Sequence, residues 1–449
     1  MVPKCKAFPW LCYLSILMQL ELQSIIPSDM HGAGPAFAAA APGRLDVIGG
    51  FADYSGARVL QMPISLKTNV KITLRQDGRF RVLSYLDKVR YQYQEVYLED
   101  MRMAGSFSLA AAKDRLSAPE NSWLAYVIGC FIILNLRKGI PVTGADITVR
   151  SEVPIGKGVS SSAALEVATL RALCTALGIA LPGTELARLA QEVENQIVGA
   201  PCGLMDQLAS HHGRERHLLP IVCQPDILEE PIPLPDDIHF IGIDSGIRHH
   251  ITGASYADVR TAAFMGLAHW ELATGKQIDC LASIRPSDWL STLWYKVPEA
   301  ETGAEFLSQF PNGVRDSLST VAPQKTYGLR SCSAHPVMEN YRAEVFQRLL
   351  ASLPEQEASR VQVLHLLGEI MYQCHASYNL CDLGHSATDQ LVDMVKADTT
   401  GHLFGAKITG GGSGGVVCVL ARGAAGLAAT KALMLRYQSA TGRQSMIIQ

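Results

Sequence analysis

Apolar and polar side chains alternate most clearly in the first third of the chain. Leu45 and Val47 alternate with Arg44 and Asp46 and predict a strand ending at Gly49-Gly50. Val70, Ile72 and Leu74 predict a second, residues 79–84 another, and Ile147-Thr148-Val149-Arg150 one further on. Elsewhere the period lengthens. Residues 122–137 carry Trp123, Tyr126, Val127, Phe131 and Leu134 on or near one face, with Gly139 just beyond, which predicts a buried helix with Trp123 in the core. Leu186, Leu189, Ala190, Val193 and Ile197 follow the helical period, and Thr184 stands where a cap belongs. Residues 239–244 predict a strand, and a helix holding Tyr256 and Arg260 follows it. Residues 361–380 and 388–396 read as helices, and 404–420 as strand, glycine turn, strand. Residues 224–237, with four prolines and several acids, read as the crossing between domains. Residues 283–333 show no period and read as an insertion.

Breaks in this pattern carry the chemistry. Pro154-Ile155-Gly156-Lys157-Gly158-Val159-Ser160-Ser161-Ser162 is a flexible loop opening an alanine-rich helix that its serines can cap. Unpaired N–H groups at such a helix start attract anions, phosphate above all. An ordinary glycine-serine turn accounts for the same residues, and the G-x-x-x-x-G-K-[ST] spacing is absent. Glu194 borders the buried stripe, where a carboxylate needs a salt-bridge partner or a metal ion. After Pro201-Cys202-Gly203, Asp206 stands on a new turn among apolar neighbours, as a helix cap or as a catalyst.

A chain of 449 residues implies two domains. The net charge of −3 argues against a nucleic-acid binder. Eleven cysteines without C-x-x-C pairs read as reduced thiols of a cytoplasmic protein, with Cys202 packing rather than reacting. His249 and His250, adjacent in sequence, make a poor metal pair. The apolar run at 10–20 is too short to span a bilayer and, despite Lys4 and Lys6, reads as part of a disordered extension over residues 1–36.

Three motifs in order resemble the GHMP kinases, in their galactokinase branch. They are Pro42-Gly43-Arg44-Leu45-Asp46-Val47 through Ala52-Asp53-Tyr54, the glycine-serine loop, and Lys407-Ile408-Thr409-Gly410-Gly411-Gly412-Ser413-Gly414-Gly415. Val198-Gly199-Ala200-Pro201-Cys202-Gly203 and Ile243-Asp244-Ser245-Gly246 extend the likeness. The resemblance implies an α+β, two-domain fold: an S5-domain-2-like ATP-binding domain over 37–225 and a ferredoxin-like domain over 236–449. ATP and Mg²⁺ are the implied cofactors, a small-molecule sugar the implied partner, with no nucleic acid, membrane or obligate protein partner. By resemblance, Gly156, Lys157, Gly158, Val159, Ser160, Ser161 and Ser162 cradle the phosphates, and Gly411 and Gly412 close over the nucleotide. Ser162 and Glu194 would hold magnesium, Asp206 would act as general base and Arg44 as transition-state stabiliser. Asp53 and Tyr256 would meet the sugar.

Galactokinases place a glutamate and a histidine where this chain has Gly50 and Phe51, and both reach toward the sugar's 6-hydroxyl. A site without those partners suits L-arabinose, which lacks the C6 hydroxymethyl group, better than D-galactose. A regulator that kept the fold and lost catalysis is disfavoured by the presence of Arg44, Glu194 and Asp206. A dinucleotide oxidoreductase is disfavoured because no strand–G-x-G-x-x-G–helix unit is present.

Overall fold

The computed structural model describes residues 29–449 apart from 31, 33, 87–89, 104–105, 119–121 and 249–255. The apolar run at 10–20 and the histidines 249 and 250 therefore lie outside the described residues. Alternation builds the first sheet from β1 (Ala36–Ile48), β2 (Arg58–Leu74), β3 (Arg79–Tyr85), β4 (Tyr91–Tyr97), β5 (Ala145–Ser151) and β6 (His217–Val222). Its pairings are antiparallel except β3 with β5, which needs a crossover. Helices α1 (Leu109–Leu116) and α2 (Ala125–Lys138) make it. Helix α3 (Ser161–Leu177) packs on β1 and β2, with α4 (Gly183–Glu192) and α5 (Met205–His212) beside it. Between this sheet and α2, α3 and α4, Phe131, Ile147, Leu170 and Leu189 are buried in one core.

The second sheet contains β9 (Ile238–Asp244), β10 (Leu403–Ile408), β11 (Val416–Arg422) and β12 (Ile447–Ile448) in the order β10-β11-β9-β12, all antiparallel. In chain order that is second, third, first, fourth, the ferredoxin-like arrangement. Helices α6 (Tyr256–Thr274), α7 (Leu329–Ala351), α8 (Glu357–Leu380), α9 (Ser386–Lys396) and α10 (Gly423–Thr441) complete this half. A further core joins the halves, uniting Leu45, Phe51 and Leu60 with Phe240, Leu364 and Tyr378. The chain is thus a two-domain α+β protein of the implied class.

Several expectations change. Residues 283–333 are folded into the shared core through Trp289, Val297, Phe306 and Tyr327. They lack a period because short helical turns and a two-residue strand pair each supply only an anchor or two. Within 224–237, β7 (Ile227–Leu228) and β8 (Ile232–Pro233) pair with β6, so this stretch extends the first sheet before crossing. Thr184 does not cap α4, which starts at Gly183 behind Pro182 with no side-chain cap bond. Nor do the serines cap α3: Ser160 sits at its start in the left-handed region with no side-chain cap bond.

Candidate active site

The loop before α3 takes its shape from three left-handed residues, Gly156 at φ +70°, Gly158 at +72° and Ser160 at +59°. The second sheet's glycine turn lies directly on it: a Cβ at Gly410 would meet the Gly158 carbonyl at 2.4 Å. Lys157 reaches into that second half instead of the cavity, its Nζ 2.9 Å from Asp244 Oδ1 and 3.4 Å from the Ile247 carbonyl.

Arg44 lies between the loop and Asp206. Its Nη1 donates to the Gly158 carbonyl at 2.7 Å, and its Nε and Nη2 donate to Asp206 Oδ1 at 2.9 and 2.7 Å. Arg44 is 2% exposed. Burial alone would lower its pKa, but the charges of Asp206 and Asp46 raise it, so it stays cationic. Asp206 is the second residue of α5, not its cap, and its side chain remains partly open. A cavity of about 450 Å³ is lined by Arg44, Gly156, Gly158, Ser160, Ser161 and Ser162 together with Asp206 and Gly411. Trp123 and Tyr126 also line it, so Trp123 is a half-buried cavity wall rather than core. Gly412, Glu194, Asp53 and the Gly50-Phe51 turn do not line this cavity.

Glu194 sits where the helix widens into a π turn, Val193–Val198, as helices often do at functional sites. Burial first, and then the Asp206 charge, push its carboxyl up to about 7, against hydrogen bonds from Ser162, Cys202 and Gln207. Gln207 Nε2 bonds Glu194 at 2.9 Å and Glu166 at 3.3 Å. Sequence reading missed Glu166, a fully buried carboxylate one turn after Ser162, with Oε1 unpartnered. Its signal was a lone charge between Leu165 and Val167 in an alanine-rich helix. Burial and Glu194 push its carboxyl well above the usual carboxylate range, which favours the neutral acid.

Asp53 is buried beside Tyr256, whose hydroxyl is 3.4 Å from Oδ1. Burial and Asp206 push Asp53 up to about 6, against the attraction of Arg260. Only glycine fits at 203, where a Cβ would stand 1.8 Å from Asp53 Oδ2. Arg260 is itself fixed by two bonds to Asp316, from the stretch expected to be an insertion.

Phe51 is fully buried and packs its ring against Tyr54, Tyr256, His335 and Tyr378 at centroid distances of 5.0–5.7 Å. A Cβ at Gly50 would meet Asp46 Oδ2 at 2.0 Å and the Tyr378 hydroxyl at 2.7 Å. Asp46 cannot easily yield: Lys407 Nζ lies 2.5 Å from the same oxygen, and both side chains are fully buried. The turn's backbone is also held, with Gly49 N donating to Glu339 Oε1 at 3.1 Å and the Gly50 carbonyl 3.2 Å from His335 Nε2. His335, Glu339 and Tyr378 left no motif; they come from helices remote in sequence.

Among the described residues, no three His, Cys, Asp or Glu side chains gather as a metal site. No helix there is long and apolar enough to cross a membrane.

The family model of the GHMP kinases N terminal domain matches residues 125–214, and the galactokinase galactose-binding signature matches residues 28–73. The chain is 34% identical to an L-arabinokinase of Arabidopsis thaliana over 92% of its own length, but spans only 45% of that protein. It is 30% identical to a galactokinase of Chloroflexus aurantiacus, covering 92% of this chain and 91% of that one. Lactococcus lactis galactokinase, solved with galactose, superposes with a TM-score of 0.72 at 20% identity, covering 97% of both chains. Methanococcus jannaschii mevalonate kinase superposes at 0.54 and 14% identity, covering 93% of this chain and 99% of that one.

Proposed function

The chain belongs to the GHMP kinases, and on that footing we propose that it transfers the γ-phosphoryl group of ATP to the anomeric hydroxyl of a free sugar, L-arabinose in preference to D-galactose. Its class is that of a sugar kinase of the galactokinase and L-arabinokinase type. The finer reading rests on the site.

Phosphoryl transfer asks for positioning and charge neutralisation more than covalent work. In this reading the loop from Gly156 to Ser162 holds the nucleotide phosphates through backbone N–H groups, and Gly411 closes the same cavity from the second half. The sugar lies toward Asp53 and Tyr256, with Asp206 between it and the phosphates. The observation that carries the reading is the state of Asp206. Arg44 occupies Oδ1, while Oδ2, without a hydrogen-bond partner among the described residues, can accept the proton of an attacking hydroxyl. Arg44 brings its positive charge to the place where the transferring group passes.

Ser162 and Glu194 suit a magnesium ion. They lie near enough for Ser162 to act on the Glu194 carboxyl, supply hard oxygens, and offer the small number of protein ligands that Mg²⁺ takes beside phosphates. A raised carboxyl such as Glu194 is also one that a cation would return to its ionised form. Bound there, the ion would neutralise phosphate charge.

Gly50 and Phe51 support the choice of acceptor. Neither side chain can pair a 6-hydroxyl, and the space beyond Gly50 is already filled by Asp46 and Tyr378. An unpaired hydroxyl costs about 1–3 kcal/mol, about five- to a hundredfold in kcat/KM. L-Arabinose has no such group. Coupled ADP-release assays with both sugars test this: L-arabinose is expected to lead, and D-galactose leading by about tenfold or more would overturn the pentose assignment.

A further inference from the structure

A second cavity, of about 600 Å³, lies between α7, α8 and the turn carrying Trp294. Arg330, Arg342, Trp294, Gln373 and Ser377 line it, and nothing in the transfer chemistry uses them. Two relays join it to the Gly49-Gly50 turn. Arg342 Nη1 donates to Glu339 Oε2 at 3.0 Å, and the other oxygen of Glu339 accepts from Gly49 N. Ser377 Oγ lies 2.8 Å from His335 Nδ1, and the opposite ring nitrogen of His335 faces the Gly50 carbonyl.

The lining selects a chemistry. Arg342 presents a guanidinium fork at one end of the α7 wall, and Arg330, about three helical turns away at the other end, adds a second positive charge, so the wall suits an anion such as a phosphate. Glu299, the acid on the lining, is 87% exposed at its side chain and stands 3.9 Å from Arg330, so it neutralises little. Trp294 is 36% exposed and lies under the Arg330 guanidinium at 5.4 Å, a flat apolar wall of the kind a sugar ring stacks on. Gln373 and Ser377 can pair ring hydroxyls. A cavity of about 600 Å³ is within the range of small-molecule sites and has room for a pentose phosphate.

We propose that this cavity binds a sugar phosphate and reports its presence to the acceptor turn through Arg342–Glu339 and Ser377–His335, a site for feedback by the enzyme's own class of product. An anion drawing Arg342 away leaves the buried Glu339 carboxylate without its cation, a costly state that its side chain relieves by shifting, and its hold on Gly49 N shifts with it. The identity of the ligand rests on the sugar-kinase reading; the existence of the site does not.

Equilibrium dialysis with L-arabinose 1-phosphate, on wild type and the Trp294→Ala/Arg330→Ala double variant, tests the site. Both positions are partly exposed, and the double variant is expected to fold and keep its uninhibited rate. It is expected to bind one equivalent less per chain than wild type, whatever wild type binds at the active site. Equal binding by the two proteins would overturn the site. A wild type that phosphorylates none of the sugars tried, yet loses an equivalent on substitution, keeps the site and removes the kinase reading. For the relay, inhibition by L-arabinose 1-phosphate should persist in wild type at saturating ATP and sugar and vanish in the double variant. Inhibition that saturating substrates abolish, or that the double variant retains, overturns the relay.

Discussion

Arg44 and Asp206 are joined through one carboxylate oxygen: Nε and Nη2 of the arginine both donate to Oδ1, at 2.9 and 2.7 Å. The third guanidinium nitrogen, Nη1, holds the Gly158 carbonyl of the glycine-serine loop at 2.7 Å. One side chain thus fixes Asp206 and the loop relative to each other, the positioning that the proposed transfer requires.

Asp206→Asn keeps the shape and Arg44's partner but removes the proton acceptor, so nucleotide binding should survive while kcat falls by about 10²–10⁴. Arg44→Lys should also lose turnover, because an ammonium cannot fork to Asp206 and reach Gly158 together. Wild-type kcat in the Asn variant would remove the base assignment.

Glu194→Gln should demand more Mg²⁺ for half-maximal rate. Glu192→Gln should not, because Glu192 makes only a surface pair with Arg137. Titrating Mg²⁺ against initial rate separates them, and superimposable curves for wild type and Glu194→Gln would refute the ligand role.

The raised carboxyls predict a pH dependence. Glu194 is pushed up to about 7 and Asp53 to about 6, both mainly by burial and then by Asp206. Above their ordinary values the folded chain holds protons that the unfolded chain has released. Stability of the ligand-free protein therefore falls as pH rises through about 6 and 7, by at most about 1.4 kcal/mol per pH unit for each group. Glu194→Gln removes its share, so Tm should fall less steeply in the variant between about pH 5 and pH 7.5. Parallel Tm curves would contradict the shift.

Introducing the galactokinase pair, Gly50→Glu with Phe51→His, should not create a D-galactose enzyme. A Cβ at position 50 already overlaps Asp46 Oδ2, and the Phe51 ring fills the aromatic cluster. Even Gly50→Ala should destabilise by about 1–3 kcal/mol. Chemical denaturation and kcat/KM for both sugars decide it; a stable double variant with galactose preference would show that the turn has room.

Local pattern determined much of this protein. Alternation and helical period reach β1, β2, β3 and β5 of the first sheet, β9, β10 and β11 of the second, and the helices carrying Glu194 and Tyr256, but not β4, β6 or β12, because a buried face writes itself into the sequence only where it keeps a fixed spacing. The glycine-serine loop was legible because left-handed backbone restricts residue type, and Lys407 to Gly415 was legible for the same reason. The stretch from 283 to 333 was not, since short turns bury single anchors with no repeat. Only the tertiary structure decided that Arg44 meets a residue 162 positions away, that Lys157 turns to Asp244, and that Trp123 faces a cavity. It alone brought Glu166 beside Gln207 and set His335, Glu339 and Tyr378 around Gly50. Those contacts join elements remote in sequence, and a side chain's partner across a packed core is set by where helices and sheets dock, which no local spacing records.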